Sequence, residues 1–161
     1  MSDCFDIRRA TEDELPKAMR LFQGILNDLP YYNDMAKDNE RKKYSLLKLA
    51  TRQAEDPYSV LVAVAESGEM VGFCFNHMDD FTVWIDWFGV VPSVRRRGIG
   101  LRVLNTVVET AQTRGVHKVW CDCRTSNEPS KKLLRKAGFR ELVEIKNHWY
   151  GQDFILWEQF V

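Results

Sequence analysis

The residues best suited to chemistry lie in a basic, glycine-containing stretch at positions 90–104, with the sequence VVPSVRRRGIGLRVL. It reads as the end of a strand, a turn and the start of a helix. Backbone N–H groups at a helix N-terminus have no partner within the helix, and together with the helix dipole they bind anionic oxygens. Gly98 and Gly100 allow a phosphate to approach the backbone. The stretch therefore predicts a phosphate site, with added positive charge from Arg95, Arg96, Arg97 and Arg102.

Length and composition exclude several other classes. The 161 residues, 45% of them apolar and 29% charged, are typical of one globular domain, and we predict a single domain over residues 1–161. Since 23 basic side chains balance 23 acidic ones, a general nucleic-acid binder is not expected. No apolar run approaches the ~20 residues of a membrane span. Residues 1–4 carry no basic region followed by an apolar one, which predicts a cytoplasmic protein without a secretion signal.

The cysteines and histidines do not form a metal-binding pattern. A zinc site using Cys121, Cys123 and His117 is conceivable, but the fourth ligand of the usual pattern is missing. Buried, reduced cysteines explain the spacing more simply. The remaining residues of these types, Cys4, Cys74, His77 and His148, lack metal-ligand spacing. We therefore predict no metal.

Hydrophobic periodicity places the basic turn between a strand and a helix of an α/β chain. Strands are expected at residues 5–9, 58–65, 70–77, 83–91, 118–124, 139–149 and 154–160. Helices are expected at about 11–29 and 34–54, between the basic turn and Gly115, and between Asn127 and Gly138. The resulting order, β-α-α-β-β-β-α-β-α-β-β, predicts a mixed six- to seven-stranded sheet with helices on both faces.

This order and two motifs resemble the GNAT superfamily of N-acetyltransferases over essentially the whole chain. The R-x-x-G-x-G spacing of Arg95, Gly98 and Gly100 is similar to the pyrophosphate signature of that superfamily. Residues 127–130 (NEPS), followed by Leu133 and by glycine and phenylalanine at 138–139, resemble its late strand-to-helix segment. The region 86–134 also resembles the polyamine acetyltransferases within the superfamily.

The resemblance implies that acetyl-coenzyme A binds in a V-shaped gap between the strands at 83–91 and 118–124. It implies that the main chain of Phe88, Gly89 and Val90 pairs with the pantetheine arm. Asn127 would bond to the pantetheine, and Ser130 would lie near the cofactor. The pyrophosphate would be held by Arg95, Arg96, Arg97, Gly98, Ile99, Gly100 and Leu101.

Asp86 is the candidate general base. An alkyl amine has a pKa of ~10.4 and is mostly protonated at neutral pH, so a proton must be removed before or during attack. Strand alternation predicts that Asp86 shares a face with Phe88 and Val90, and it aligns with a position where the superfamily often carries glutamate. Two alternatives stay open: Asp86 anchors a cationic substrate, or it is a solvated strand residue. By analogy with the family, the Val90 N–H would donate to the thioester oxygen.

Many superfamily members carry a tyrosine that protonates the leaving thiolate, and the aligned position here is Leu134. A thiol pKa of ~8.5 makes a thiolate a fair leaving group without an acid. Tyr150, on the final hairpin, or a water is the expected substitute. Alternatively, Tyr150 is a structural aromatic of the turn.

The resemblance places the acceptor groove between the first helix pair, its joining loop and the last hairpin. Aromatic and carboxylate side chains in these segments suit a cationic amine. They are Asp28, Tyr31, Tyr32, Asp34, His148, Trp149 and Tyr150. Of these, Tyr31, Tyr32 and Trp149 are the predicted substrate contacts, together with Asp86. Tyr31 and Tyr32 could equally pack the loop.

The leading hypothesis is an enzyme that moves an acetyl group from acetyl-coenzyme A to a primary amine by direct attack in a ternary complex. A small cationic amine is the first choice of acceptor. The alternatives are a non-catalytic acyl-coenzyme A binding or sensing domain, and a protein N-terminal or lysine acetyltransferase. No nucleic acid or membrane partner is expected, and a homodimer is possible. A Rossmann dinucleotide site and a P-loop both lack their motif residues here.

Overall fold

The fold is a seven-stranded mixed sheet with helices on both faces, seen in a computed structural model that describes residues 4–161. The strands are β1 (Phe5–Arg9), β2 (Val60–Ala65), β3 (Met70–Asp79), β4 (Thr82–Val90), β5 (Lys118–Arg124), β6 (Arg140–Ile145) and β7 (Phe154–Phe160). The helices are α1 (Leu15–Asp28), α2 (Asp34–Lys43), α3 (Leu46–Glu55), α4 (Ile99–Thr113) and α5 (Glu128–Lys136). Short 3₁₀ turns lie at Glu12–Glu14, Pro92–Val94 and Trp149–Gly151.

The strand order is β1-β2-β3-β4-β5-β7-β6. β4 and β5 pair in parallel, because α4 makes the crossover between them, and the other neighbouring strands pair antiparallel. The predicted fold class is confirmed. None of the helices within residues 4–161 is long and apolar enough to span a membrane. The prediction about a secretion signal concerned residues 1–4, of which 1–3 lie outside the described part of the chain.

The prediction of one helix over residues 34–54 is wrong, because the segment forms two helices, α2 and α3. The break falls at Tyr44, whose backbone is extended at φ −105° and ψ 112°. The side chain of Ser45 then accepts a hydrogen bond from the Lys48 N–H and starts α3 as its N-cap. The last strand before the final turn is also shorter than the predicted 139–149, since β6 ends at Ile145.

Hydrophobic residues form one core on each face of the sheet. The core on the α4 face includes Val103, Leu104 and Val107, which recur at helical spacing, and the fully buried Trp157. The core on the other face, under α1 and α3, contains Phe22, with an exposed fraction of 0%. Its ring packs against four aromatic neighbours, Tyr44, Phe73, Phe75 and Trp87, at centroid distances of 5.3–6.0 Å.

β4 and β5 pair only at their first residues and then separate. The paired residues run from Thr82 with Lys118 to Trp84 with Trp120. Beyond them β4 carries a bulge opposite Phe75 and Asn76 of β3, and a bulge bends and twists the strand that contains it. The edge of β4 that faces β5 is therefore open from residue 85 onward, and a gap forms between the two strands.

Candidate active site

A cavity of about 1080 Å³ opens where β4 and β5 diverge. Its walls come from the end of β4, the basic turn, the start of α5 and the loop between α1 and α2. Residues predicted from the sequence that line it are Tyr31, Tyr32, Asp86, Phe88, Gly89, Val90, Arg95, Arg96, Gly98, Ile99, Gly100, Leu101, Asn127 and Ser130. Arg97, Trp149 and Tyr150 are not among its lining residues. The structure thus brings together two segments, 88–101 and 127–130, that are far apart in sequence.

The basic turn takes its shape from two residues with positive φ. Arg96 has φ 68°, and Gly98 has φ 80° at the N-cap of α4. The left-handed region at Gly98 favours glycine, which has no Cβ to clash there. Arg95 donates from Nε to the carbonyl of Val90 at 2.9 Å, which holds the turn against the end of β4. Arg102 points elsewhere, since its Nη2 donates to the Phe5 carbonyl at 2.6 Å.

Gly100 lies at a close approach between α4 and α5. A Cβ built there would lie 3.0 Å from Leu133 Cδ2 and 3.9 Å from Val90 Cγ2. Both neighbours also line the cavity. A larger side chain at position 100 would therefore extend into the space between them.

Asn127 and Ser130 reach the cavity through the capping of α5. The Asn127 Oδ1 accepts the Ser130 N–H at 3.1 Å, as expected of an N-cap residue. Pro129 fits the first turn, where its missing N–H removes no helix bond. Because these contacts lie within four consecutive residues, the sequence alone predicts that a helix starts here.

Asp86 lies at the bulge in β4, and the predicted alternation is wrong there. Phe75 pairs with Trp87 and Asn76 pairs with Ile85, so Asp86 is the extra residue. Its hydrogen-bond partners lie on the α3 side of the sheet, where Trp87 also packs. Phe88, in contrast, packs against the core on the α4 face. Asp86 therefore does not share a face with Phe88 as a regular strand would require.

The carboxylate of Asp86 is held by three side chains. Oδ1 accepts from the Tyr44 hydroxyl at 3.0 Å. Oδ2 accepts from Arg52 Nη1 at 2.9 Å and lies 2.9 Å from His77 Nδ1. The Asp86 side chain is only 5% exposed. The sequence pattern gave no sign of this network, because its members come from α3, β3 and the break between α2 and α3.

Replacing Asp86 by asparagine is expected to lower the free energy of unfolding by about 2–3 kcal/mol, since the Arg52 guanidinium would lose its partner in a partly buried site. Urea denaturation of the two proteins measures the difference. The matched control is Asp6→Asn, because the Asp6 side chain also pairs with an arginine but is 69% exposed. That change should stay within about 0.5 kcal/mol. Equal small effects in both variants would contradict the assigned network.

Tyr150 fastens the last loop to α2. Its hydroxyl donates to Glu40 Oε1 at 2.6 Å and accepts from Asn39 Nδ2 at 2.8 Å. Glu40 is 6% exposed and also accepts from Trp87 Nε1 at 2.9 Å. Burial, helped by the bond to Glu40, raises the pKa of Tyr150. These contacts are those of a residue that positions the loop, and its role as a general acid stays a prediction.

Tyr31 and Tyr32 both line the cavity, and Tyr32 also packs the loop against its neighbours. The Tyr32 ring lies 5.3 Å from Trp87 and 6.3 Å from Phe154, centroid to centroid. Burial raises the pKa of Tyr32, so its hydroxyl stays protonated. The Tyr31 carbonyl accepts from Arg124 Nε at 2.8 Å, which ties the loop to β5.

Asp122 of β5 also lines the cavity, and sequence reasoning missed it. Its Oδ2 accepts from Trp149 Nε1 at 2.9 Å, and burial raises its pKa to about 6. Asp122 lies between two buried residues of β5, Cys121 and Cys123, so its side chain is on the face of the strand opposite to theirs. The only signal in the sequence was the alternation of β5, which puts the polar Asp122 between two cysteines. The bond from Trp149 depends on a loop 27 residues away.

Leu134, which the sequence resemblance aligns with a tyrosine of the GNAT superfamily, is fully buried in the core on the α4 face. Its neighbour Leu133 lines the cavity instead. Neither side chain has a hydroxyl. No group of three or more His, Cys, Asp or Glu side chains placed to hold a metal ion occurs in residues 4–161.

Residues 19–139 match the model of the acetyltransferase (GNAT) family. Aminoglycoside N(6')-acetyltransferase type 1 of Klebsiella aerogenes is 29% identical over 98 residues, which are 56% of this chain and 64% of that protein. This chain thus covers less than two thirds of that relative. The [ribosomal protein bS18]-alanine N-acetyltransferase of Salmonella typhimurium is 24% identical over 136 residues, 84% of this chain and 81% of that protein.

The fold is also that of solved acetyltransferases. A phosphinothricin acetyltransferase from Sinorhizobium meliloti, solved in complex with acetyl-coenzyme A, superposes with a TM-score of 0.78 at 18% identity. The match covers 100% of this chain and 89% of that one.

Proposed function

The chain belongs to the acetyltransferase (GNAT) family, and we propose that it moves an acetyl group from acetyl-coenzyme A to the primary amine of a small cationic molecule. The observation that carries this proposal is the composition of one cavity. A basic, glycine-containing turn with Arg95 and Arg96 lines one part of it, and the partly buried carboxylate of Asp122 lines another. A single space thus offers a site for an anionic cofactor and a site for a cationic acceptor.

The residues present fit coenzyme A. The helix N-terminus after Gly98 offers backbone N–H groups to the pyrophosphate, and the exposed Arg95 and Arg96 add positive charge. The open edge of β4 offers main-chain groups at residues 88–90 to the pantetheine arm, as an unpaired strand edge does for a peptide. Asn127 and Ser130 lie on the opposite wall. Bound there, the cofactor supplies the activated acetyl thioester.

The acceptor side of the cavity suits an amine with positive charge. Asp28 and Asp122 line the cavity and supply negative charge. Tyr32 lines the same space, and Trp149 donates a hydrogen bond to Asp122. Aromatic faces and carboxylates together favour ammonium groups. Asp86, as a substrate anchor, is a weaker candidate because its carboxylate oxygens already accept from protein donors.

Departure of the thiolate needs no side-chain acid in this proposal. Leu134 stands where many members of the superfamily place a tyrosine, and a thiol pKa of ~8.5 lets the thiolate leave with its charge. It then takes a proton from the solvent or from the group that deprotonated the amine.

A second candidate acceptor is the N-terminal amine of a protein. The match to the ribosomal-protein alanine N-acetyltransferase extends over 136 residues, against 98 for the aminoglycoside enzyme. The organisation as one domain over residues 1–161, a cytoplasmic location and a homodimer stay predictions that accompany both candidates.

Release of free thiol from acetyl-coenzyme A in the presence of an amine panel tests the proposal. The panel holds polyamines, aminoglycosides, free amino acids, and peptides with a free N-terminus or one lysine. We expect the largest kcat/KM with a small polycationic amine. A preference for peptides would shift the acceptor to a protein amine. Thiol release equal to that in buffer for every member, from protein that binds acetyl-coenzyme A, would contradict transfer and favour a binding domain.

A further inference from the structure

We infer that the carboxylate of Asp122, rather than that of Asp86, takes the proton that the attacking amine loses. This inference rests on the acetyl transfer proposed above and assigns one of its steps. It replaces the expectation that the base is Asp86 of β4, which aligns with a position where the superfamily often carries glutamate.

Both carboxylate oxygens of Asp86 are already in contact with side chains of the protein. Arg52 and His77 contact one of its oxygens, and Tyr44 donates to the other. To act as a base, Asp86 would have to give up an ion pair that joins β4 to α3. The network is that of a structural anchor.

Asp122 has the opposite surroundings. It lines the cavity at the fork between β4 and β5. The only side chain within residues 4–161 that donates a hydrogen bond to it is Trp149, whose indole is neutral. No basic side chain in this part of the protein lies within ion-pair distance. The second carboxylate oxygen, Oδ1, therefore has no donor among these side chains and is available to an amine in the cavity.

The proton affinity of Asp122 supports the assignment. Burial raises its pKa to about 6, and the Trp149 hydrogen bond acts against that rise. A base with a pKa close to the working pH combines an ionised resting form with a useful affinity for the proton. The titratable and charged groups around it come from α2, the loop before α2, the last loop and β5 itself. They are Glu40, Lys43, Tyr32, His148, Cys121 and Cys123.

The ammonium of the acceptor binds near Asp122 and gives one proton to the solvent. The amine nitrogen attacks the thioester carbonyl carbon of acetyl-coenzyme A, forming the C–N bond. The nitrogen then carries a positive charge and two strongly acidic protons, of which one passes to the Asp122 carboxylate and the other stays in the amide. The C–S bond breaks, the amide is released, and the protonated carboxyl returns its proton to the thiolate or to water.

Trp149 is a positioning residue in this scheme. It lies on the 3₁₀ turn that Tyr150 fastens to α2, and it is 53% exposed. Because its indole N–H stabilises the ionised form, loss of that donor raises the pKa of Asp122. If Trp149 only packed the loop, replacing it would leave the pKa of Asp122 unchanged.

The experiment compares the wild type with Asp122→Asn, Trp149→Phe and the control Asp79→Asn, whose carboxylate is exposed at the end of β3. With saturating amine, we expect Asp122→Asn to lower kcat at least about 100-fold and to leave the KM for acetyl-coenzyme A unchanged. In the wild type, kcat should fall as the pH drops through about 6, because the carboxylate becomes protonated. This step should vanish in Asp122→Asn and move to higher pH in Trp149→Phe.

A second readout does not depend on activity. The Trp149 indole N–H resonance should titrate with a midpoint near pH 6 in the wild type and not in Asp122→Asn. If Asp122→Asn keeps the kcat and pH profile of the wild type, the assignment of Asp122 is overturned while acetyl transfer stands. If the wild type acetylates no amine although the resonance titrates, the proposed function fails. Asp79→Asn should match the wild type throughout.

Discussion

Replacing Gly100 by tryptophan is expected to weaken acetyl-coenzyme A binding at least about 100-fold, roughly 2.8 kcal/mol. The Cβ of the new side chain would point between Leu133 and Val90, which both line the cavity. The indole would then fill the space that the cofactor needs beside the basic turn. Because the nearest contact, at 3.0 Å, is the end of the flexible Leu133 side chain, the fold can adjust and remain intact. Isothermal titration of the variant with acetyl-coenzyme A measures the effect.

The matched control is Gly100→Ala. Its single methyl group requires a shift of a few tenths of an ångström in Leu133 and leaves most of the cavity open, so the affinity should change by less than about fivefold, or roughly 1 kcal/mol. Thermal unfolding of both variants separates loss of binding from loss of fold. A folded Gly100→Trp protein that binds the cofactor as the wild type does would show that the coenzyme lies elsewhere.

Replacing Phe22 by alanine is expected to cost about 3–5 kcal/mol of unfolding free energy, a large part of the 5–15 kcal/mol typical of a whole domain. Phe22 is fully buried and joins α1 to β3, to β4 and to the break between α2 and α3. Two of its neighbours also hold site residues. Tyr44 donates to Asp86, and Trp87 donates to Glu40. The cavity left by the ring would therefore loosen the acceptor side of the site as well as the core.

Chemical denaturation measures this cost, with Phe81→Ala as the control. Phe81 carries the same side chain but is 73% exposed, so its loss should change stability by less than about 0.5 kcal/mol. A Phe22→Ala protein with the stability of the wild type would mean that the aromatic cluster is not the core of the α1 face.

The parts of the site that the sequence predicts are those whose conformation is determined locally. Gly98 adopts a positive φ that glycine tolerates, and the helix that follows begins within the same few residues. Asn127 caps α5 through the N–H of Ser130, three positions later. Such features are determined by the residue types and their spacing alone, which is why the sequence predicts both the basic turn and the start of α5.

The acceptor side of the site depends on contacts between segments that are distant in sequence, so the sequence predicts it less well. The bulge at Asp86 shifts the pairing of β3 with β4. No residue type in β4 predicts this bulge. The network around Asp86 also requires the break at Tyr44, which a continuous helical pattern over residues 34–54 concealed. Asp122 gains its raised pKa from burial and its donor from Trp149. Both arise only when the last loop folds over β5.

The central claim is that an acetyl group moves from acetyl-coenzyme A to an amine in the gap between β4 and β5. The direct measurement is mass spectrometry of a polyamine after incubation with deuterated acetyl-coenzyme A and either the wild type or Gly100→Trp. At a coenzyme concentration well below the wild-type Kd, we expect a deuterated acetyl amide with the wild type and about 100-fold less of it with Gly100→Trp. Label recovered only as free acetate with the amine unchanged, or equal amide formation by the two proteins, would contradict the central claim.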